Sequence, residues 1–153
     1  MNLYLAQHGK ALSKETDETR PLSQDGITET KVVAKALKEN GISISNIFHS
    51  GKLRAAQTAE IFAAILKSPA IKLDLGMKPN DDAAHFAKSL SADNDSALYV
   101  GHLPHIQKVV SYLLNNDDQS KSIAFKNSAI VNIEIVDGSA SILWYITPSI
   151  LKK

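Results

Sequence analysis

The chain contains no cysteine among its 153 residues. This absence excludes disulfide bonds, thiolate nucleophiles and cysteine-ligated zinc or iron–sulfur sites. The formal net charge is only +1, so bulk charge gives no argument for binding nucleic acid or a membrane surface. Because a chain without cysteine is compatible with a reducing compartment, we expect a cytoplasmic protein.

Long hydrophobic runs are also missing. The first apolar run, residues 3–6, is too short for a signal peptide, and no stretch approaches the length needed to cross a bilayer. A length of 153 residues suits one sizeable core, and no repeat, low-complexity tract or linker divides the chain. We therefore expect a single domain over residues 1–153, with neither a membrane nor a nucleic acid as partner.

Strand-like and helix-like segments alternate along the sequence. Short apolar runs typical of buried strands cover residues 2–7, 44–49, 71–75 and 97–100. Helical patterns follow them after Ser23, from residue 52, over residues 83–90 and from Pro104. Residues 130–135 and 141–146 alternate around Asp137-Gly138, which indicates a hairpin. The pattern predicts a three-layer α/β/α sandwich with a mostly parallel central sheet and a C-terminal β-hairpin.

Three side chains with phosphate-binding chemistry fall at the ends of predicted elements. His8 ends the first predicted strand, and His102 follows the fourth. Arg54 lies at the N-terminal end of the helix that follows the second strand. The carboxyl ends of parallel strands share one edge of a sheet, so the three are expected to lie close together. One imidazole can attack phosphorus while the other two groups offset charge on the phosphoryl oxygens. The sequence therefore predicts a phosphate site.

Four short motifs at these positions occur in a fixed order. They are Gln7-His8-Gly9, Arg20-Pro21-Leu22-Ser23, the segment from Ser50 to Ala59 (SGKLRAAQTA), and Gly101-His102-Leu103-Pro104. Each motif is weak alone, but their order, spacing and structural context are specific together. With these motifs the chain resembles the histidine phosphatase (phosphoglycerate mutase-like) superfamily, in particular its SixA-type phosphohistidine phosphatases. The resemblance covers nearly the whole chain.

The resemblance implies a role for each matching residue. His8 would be the nucleophile that becomes transiently phosphorylated, Arg54 would hold the phosphoryl oxygens, and His102 would donate to the same oxygens. A backbone acceptor near Gly9 is expected to fix the tautomer of the neutral His8 ring. No metal or organic cofactor is required. The residues expected to line the phosphate site beside the catalytic three are Gln7, Gly9, Arg20 and Ser50.

One position departs from the family motif. The family has arginine before the catalytic histidine, and this chain has Gln7. A charge-assisted hydrogen bond is worth about 1.5–3 kcal/mol, so its loss would reduce transition-state stabilisation by about 10- to 100-fold. Arg20 is the first candidate for a compensating cation. Lys10 and Lys52 are further candidates, although solvated surface lysine is the interpretation we favour for both.

The general acid is a second departure. Many members of the superfamily use a carboxylate after the third strand to protonate an alcohol leaving group. Asp81 and Asp82 lie there, but we favour capping of the next helix as their role. Phosphohistidine manages without a firm acid because its P–N bond is labile. Because residues 75–98 leave little room for a lid, an open site for a phosphohistidine on a protein, such as a histidine phosphotransfer domain, is expected.

Several alternatives stay open at this point. Gln7 favours a low-activity or non-catalytic phosphate-binding relative, and a phosphatase acting on small phosphate esters is a further candidate. His8, His102 and His105 have workable spacing for a metal site, although we favour a surface or rim position for His105. The two other histidines, at positions 49 and 85, are interpreted as structural or surface residues. The sequence leaves the oligomeric state undetermined, and we favour a monomer.

Overall fold

A computed structural model describes residues 1–73 and 75–151 and shows a six-stranded sheet with helices on both faces. The strands are β1 (Asn2–Gln7), β2 (Ile47–His49), β3 (Ala70–Lys72), β4 (Ala97–Gly101), β5 (Ile130–Val136) and β6 (Ser139–Ile146). The helices are α1 (Gln24–Glu39), α2 (Leu53–Leu66), α3 (Ala83–Ser89), α4 (His105–Asn115) and α5 (Pro148–Leu151). Within these described ranges, no helix has the length and apolar character needed to cross a bilayer.

The sheet order aligns the ends of three strands. The strands lie in the order β3-β2-β4-β1-β5-β6. The first four run parallel to one another, β5 runs antiparallel to β1, and β6 runs antiparallel to β5. Gln7 pairs with Gly101, and His49 pairs with Val100, so β2, β4 and β1 end side by side. The residues that follow these strands therefore meet at one edge of the sheet, as expected for an open α/β fold.

Alternating side chains of β1 build two separate cores. Leu3 and Leu5 belong to the cluster that packs under α3 and α4, whereas Tyr4 and Ala6 belong to the cluster under α1 and α2. Side chains point alternately to the two faces of a strand, so a strand covered on both sides must be apolar throughout. The predicted three-layer architecture with a mostly parallel sheet is confirmed.

Capping and turn residues explain where α1 begins and where the C-terminal hairpin reverses direction. The Ser23 side chain accepts a hydrogen bond from the Gly26 amide and caps α1, as the sequence indicates. Asp137 and Gly138 both have positive φ angles, 49° and 77°. Positive φ at both central residues is the geometry of a type I′ turn, whose twist matches that of the strands it joins. The predicted C-terminal hairpin is confirmed.

Several predicted boundaries were wrong. The second strand is limited to Ile47–His49, because Ile44 and Ser45 bond instead to Ser68 and Ser96. The third strand is limited to Ala70–Lys72, and Asp74 of the predicted segment lies outside the described residues. A 3-10 turn covers Ala92–Asn94, and the four-residue α5 lacks the length that would give a periodic signal in the sequence.

Candidate active site

His8 follows β1 and is held in place through its own backbone. Its amide donates to the Gly101 carbonyl at 3.0 Å, which joins it to the end of β4. Its carbonyl accepts from the Asn127 side-chain amide at 3.0 Å. The ring is therefore presented at the carboxyl edge of the sheet from a backbone that is fixed on both sides.

Two contacts define the same tautomer of the His8 ring. Nδ1 lies 2.7 Å from the Gly9 carbonyl oxygen, which can only accept, so Nδ1 carries the proton. The Arg54 Nε–H group donates to Nε2 at 3.2 Å, so Nε2 presents its lone pair. The backbone acceptor expected from the sequence is present. The nitrogen that faces Arg54 is thus the one able to act as a nucleophile.

The charge state of His8 suits that role. Burial of the ring, together with the guanidinium charges of Arg54 and Arg20, lowers its pKa from 6.5 to about 4, against the opposing hydrogen bond to Gly9. A protonated imidazole has no lone pair on Nε2. The depressed pKa keeps His8 neutral and nucleophilic throughout the neutral range.

Arg54 and Arg20 bring positive charge to the His8 ring. Arg54 is the second residue of α2, and burial, together with the charge of Arg20, lowers its pKa. Arg20 has a positive φ of 47°, and its Nε donates to the Leu12 carbonyl at 3.1 Å. Two guanidinium groups so close together repel each other unless an anion lies nearby. The pair is well suited to hold phosphoryl oxygens.

His102 lies next to the His8 ring. The two ring centroids are 5.1 Å apart, at an angle of 52°. His102 is buried, and its Nε2 is hydrogen-bonded to the Ser50 hydroxyl. Burial first, and then the neighbouring imidazole of His8 and the charges of Arg54 and Lys52, lower its pKa to about 3. His102 is thus a neutral ring, hydrogen-bonded through Nε2 to a hydroxyl at the edge of the site.

Gln7 is the last residue of β1, beside His8. Its backbone amide donates to the Ala129 carbonyl at 3.2 Å, and its side chain is half-buried. The Oε1 atom is buried and has no hydrogen-bond partner among the described residues. An arginine at this position would add a positive charge that Gln7 lacks.

Thr58 is a positioning residue that the sequence interpretation missed. Its hydroxyl accepts from the Gly9 amide at 2.9 Å and donates to the Arg54 carbonyl at 2.7 Å. One buried hydroxyl thereby fixes the loop after His8 against the first turn of α2. The signal was present as a polar residue, four after Arg54, on an otherwise apolar helix face. Asn127, which binds the His8 carbonyl, gave no such signal because the loop before β5 has no pattern.

The other candidate cations differ in their surroundings. Lys10 Nζ forms an ion pair with Glu29 Oε1 at 3.2 Å, so a carboxylate already offsets its charge. Lys52 is exposed, and its charge contributes to the lowered pKa of His102. Of the three cations considered, Arg20 is the one whose charge acts on His8.

The two carboxylates considered as general acids have local structural partners. Asp82 caps α3 by accepting from the His85 amide at 2.9 Å, and Asp81 accepts from the Lys78 amide at 2.9 Å. The bond from His85 is the main cause of the lowered pKa of Asp82. The capping interpretation is confirmed for Asp82, which remains ionised at neutral pH and so has no proton to donate.

The surface or rim position predicted for His105 was wrong. The ring is completely buried and packs against Phe86 with 5.5 Å between centroids. Neither ring nitrogen has a hydrogen-bond partner within residues 1–73 and 75–151. Among those same residues, no group of three or more histidines and carboxylates has the geometry to hold a metal ion. The spacing of His102 and His105 reflects packing at the start of α4.

Replacing His105 with leucine is expected to stabilise the fold. A buried polar group without a partner costs about 1–3 kcal/mol, which leucine would recover. Burial lowers the pKa of His105 against the opposing charges of Asp81 and Asp82, so the unfolded chain binds a proton that the folded chain excludes. The stability of the wild type should therefore fall as the pH drops below about 6.5.

Urea unfolding at pH 7 and pH 5 measures this effect. The gain in unfolding free energy for His105→Leu should be larger at pH 5 than at pH 7. His85→Leu, at an exposed position on α3, is the control and should not give this gain. Equal stability of His105→Leu and the wild type at both pH values would contradict this account.

A separate cleft of about 370 Å³ lies between α1 and α2. Leu22, Gln57 and Ile61 are among its lining residues, whereas His8, Arg54 and His102 are not. Ile61 and Ile65 of α2 line this cleft, whereas the fully buried face of the helix is formed by Ala55, Thr58, Ala59 and Phe62. The group formed by His8, Arg54 and His102, called the His8 cluster below, is therefore separate from this apolar cleft.

Comparison with known proteins agrees with this geometry. The model of the histidine phosphatase superfamily (branch 1) matches residues 3–76, which include His8 and Arg54. An uncharacterised protein of Picosynechococcus is 35% identical over 113 residues, covering 69% of this chain and 68% of that protein. The chain belongs to the histidine phosphatase superfamily. The superfamily model ends before His102, so the placement of His102 rests on the structure.

Within this superfamily the chain is similar to SixA proteins. Phosphohistidine phosphatase SixA of Escherichia coli is 28% identical over 159 residues, with 99% of this chain and 97% of that protein covered. A structure of the protein histidine phosphatase SixA complexed with tungstate matches with a TM-score of 0.84, covering 99% of this chain and 100% of that one. A phosphoserine phosphatase of Entamoeba histolytica shares the fold at a TM-score of 0.72 and 16% identity, covering 94% of this chain and 95% of that one.

Proposed function

We propose that this chain hydrolyses phosphohistidine on a protein, through a phosphorylated His8 intermediate. The observation that carries the proposal is the pairing of the His8 ring, with Nδ1 on the Gly9 carbonyl and Nε2 beside Arg54. The similarity to SixA over nearly the whole chain supports phosphohistidine as the substrate class. A related structure holds tungstate, an oxyanion with the shape of phosphate.

The reaction consists of two transfers of the phosphoryl group. In the first, the Nε2 lone pair of His8 attacks phosphorus, the P–N bond to the substrate imidazole breaks, and that imidazole leaves as a neutral ring that keeps the proton on its other nitrogen. Arg54 and Arg20 offset the charge on the phosphoryl oxygens, and the neutral His102 ring adds a hydrogen bond to them. In the second, water attacks phosphorus, phosphate leaves, and His8 regains its lone pair. Every step uses side chains of this protein without a cofactor.

The leaving group is the reason for preferring phosphohistidine to a phosphate ester. An alkoxide needs a proton from a general acid, whereas an imidazole that already carries a proton leaves as a neutral group. Asp82 has a lowered pKa and caps α3. In the described part of the segment between β3 and β4, the regular elements are the seven-residue α3 and a 3-10 turn. We propose a carrier such as a histidine phosphotransfer domain, in a cytoplasmic signalling pathway.

The direct test compares two substrates at equal concentration. One is a histidine phosphotransfer domain carrying phosphohistidine, and the other is an aryl phosphate ester. The proposal predicts that kcat/KM is higher for the phosphoprotein. Faster hydrolysis of the aryl ester would favour the second candidate activity, a phosphatase acting on small phosphate esters.

Gln7 favours one further candidate, a module that binds phosphohistidine without turnover. The site would retain Arg54, His8 and His102 as an anion pocket but lack one positive charge. Single-turnover kinetics together with a binding measurement separates the two possibilities. Tight binding of the phosphorylated carrier without phosphate release would favour the binding module.

Restoring the arginine at position 7 is expected to raise phosphatase activity. A charge-assisted hydrogen bond to the phosphoryl oxygens is worth about 1.5–3 kcal/mol, so Gln7→Arg should increase kcat/KM about 10- to 100-fold. Gln7→Met, which is similar in size but has no donor, is the control and should lower kcat/KM. Unchanged or lower activity of Gln7→Arg would show that another cation already occupies that place.

Arg20 is expected to compensate for the missing arginine. If it does, Arg20→Ala should reduce kcat/KM more in the wild type than in the Gln7→Arg background, since the new arginine takes over part of its role. The four variants of this double-mutant cycle are assayed on the same phosphoprotein. Equal losses in both backgrounds would show that Arg20 does not compensate.

A further inference from the structure

Two exposed leucines lie next to residues of the His8 cluster. Leu53 precedes Arg54 at the start of α2 and is 41% exposed, and Leu103 follows His102 and is 37% exposed. Exposed leucines scattered over a surface are common and need no explanation. These two differ because each is the chain neighbour of a residue that contacts the His8 ring.

Ser50 connects the two loops that carry these leucines. Its hydroxyl bonds to the His102 ring and accepts from the Lys52 amide at 3.4 Å. The loop entering α2 and the loop entering α4 are therefore held together at the carboxyl edge of the sheet. Leu53, the first residue of α2, and Leu103, on the loop entering α4, therefore lie on two segments that meet at the same hydrogen-bonded group.

The charge around these loops is positive. The positive charges of Arg20 and Arg54 lower the pKa of His8, and those of Arg54 and Lys52 lower the pKa of His102. Within the described chain, no carboxylate contributes to the pKa of either ring. Such a field attracts an anionic partner and repels a basic one.

We propose that Leu53, Leu103 and Lys52 form a docking surface for a carrier protein whose phosphohistidine is surrounded by apolar and acidic side chains. The inference rests on the proposed function, because the phosphohistidine brings the carrier to His8. The leucines become buried against the apolar part of the carrier, and Lys52 faces its acidic part. A small phosphoramidate reaches His8 without covering the leucines, so the surface selects for proteins.

The test measures kcat/KM on two substrates that share the same leaving group. One is a phosphorylated histidine phosphotransfer domain, and the other is free phosphohistidine. The double variant Leu53→Ser/Leu103→Ser should lose about tenfold or more on the phosphoprotein, as expected for apolar residues at the centre of an interface. On free phosphohistidine it should change by less than about threefold.

Leu143→Ser is the matched control. Leu143 is 51% exposed on β6, at the edge of the sheet two strands from β1, and its replacement should change neither rate. An equal loss of the double variant on both substrates would show that the leucines act on the site itself and would overturn the docking surface. No loss on either substrate would overturn it as well.

A binding measurement separates this inference from the proposed function. If the wild type hydrolyses neither substrate, the proposed function fails, and the dissociation constant of the phosphorylated carrier then decides the docking surface. Weaker binding to the double variant than to Leu143→Ser would support the surface, and equal binding would overturn it. A wild-type dimer that the double variant loses would assign the leucines to a second copy of the chain and would also overturn it.

Discussion

Replacing His8 with alanine is expected to lower kcat on a phosphoprotein by about 10⁴-fold or more, as loss of the nucleophile does in other covalent mechanisms. The ring provides the lone pair that accepts the phosphoryl group, and no other imidazole at the site is placed as well. The His102 ring is almost fully buried, whereas the His8 ring is partly exposed. The measurement is phosphate release under saturating substrate.

Chemical rescue controls for loss of the fold. His8→Gly leaves a space in which added imidazole can accept the phosphoryl group, so part of the activity should return as imidazole is added. His85→Ala removes an exposed histidine from α3 and should retain full activity. Full activity of His8→Ala without imidazole would contradict the assignment of the nucleophile.

Replacing Arg54 with alanine is the change with the next largest expected effect. Its guanidinium donates to Nε2 of His8, the atom that will bind phosphorus, so it lies where the phosphoryl oxygens must arrive. Removing a preorganised donor at such a position costs about 10²- to 10³-fold in rate. We expect a loss of this size in kcat/KM, measured on the phosphoprotein.

Arg54→Lys is the informative companion variant. Lysine keeps the positive charge but has no planar fork, so it can hold one phosphoryl oxygen where arginine holds two. Its kcat/KM should lie between the wild type and Arg54→Ala. If Arg54→Lys and Arg54→Ala were equally impaired, two-point contact would matter more than charge; unimpaired Arg54→Ala would refute the role altogether.

The fold could be predicted from local sequence patterns, because each of these patterns fits one type of structure. Leu3 to Ala6 had to be covered on both faces, and Asp137-Gly138 allowed one type of hairpin turn. The close placement of His8, Arg54 and His102 could also be predicted, because the residues that follow parallel strands lie at one edge of the sheet. The superfamily model and the similarity to SixA then confirmed the family resemblance.

What failed to follow from the sequence depends on contacts between distant segments. Thr58 fixes the Gly9 loop from a position 49 residues away, and Asn127 binds the His8 carbonyl from 119 residues away. His105 looked like a rim residue because histidine is usually found partly exposed, whereas α3 and its Phe86 ring enclose it. Such relationships exist only once the sheet has brought the loops together.

The most direct test of the central claim is to locate the phosphoryl group during turnover. A radiolabelled phosphorylated histidine phosphotransfer domain is mixed with the protein, the reaction is stopped in alkali to preserve P–N bonds, and the labelled peptide is identified. The account predicts transient label on Nε2 of His8, in place before phosphate is released, and none in His8→Ala. Label on another residue, or phosphate release at the wild-type rate by His8→Ala, would contradict it.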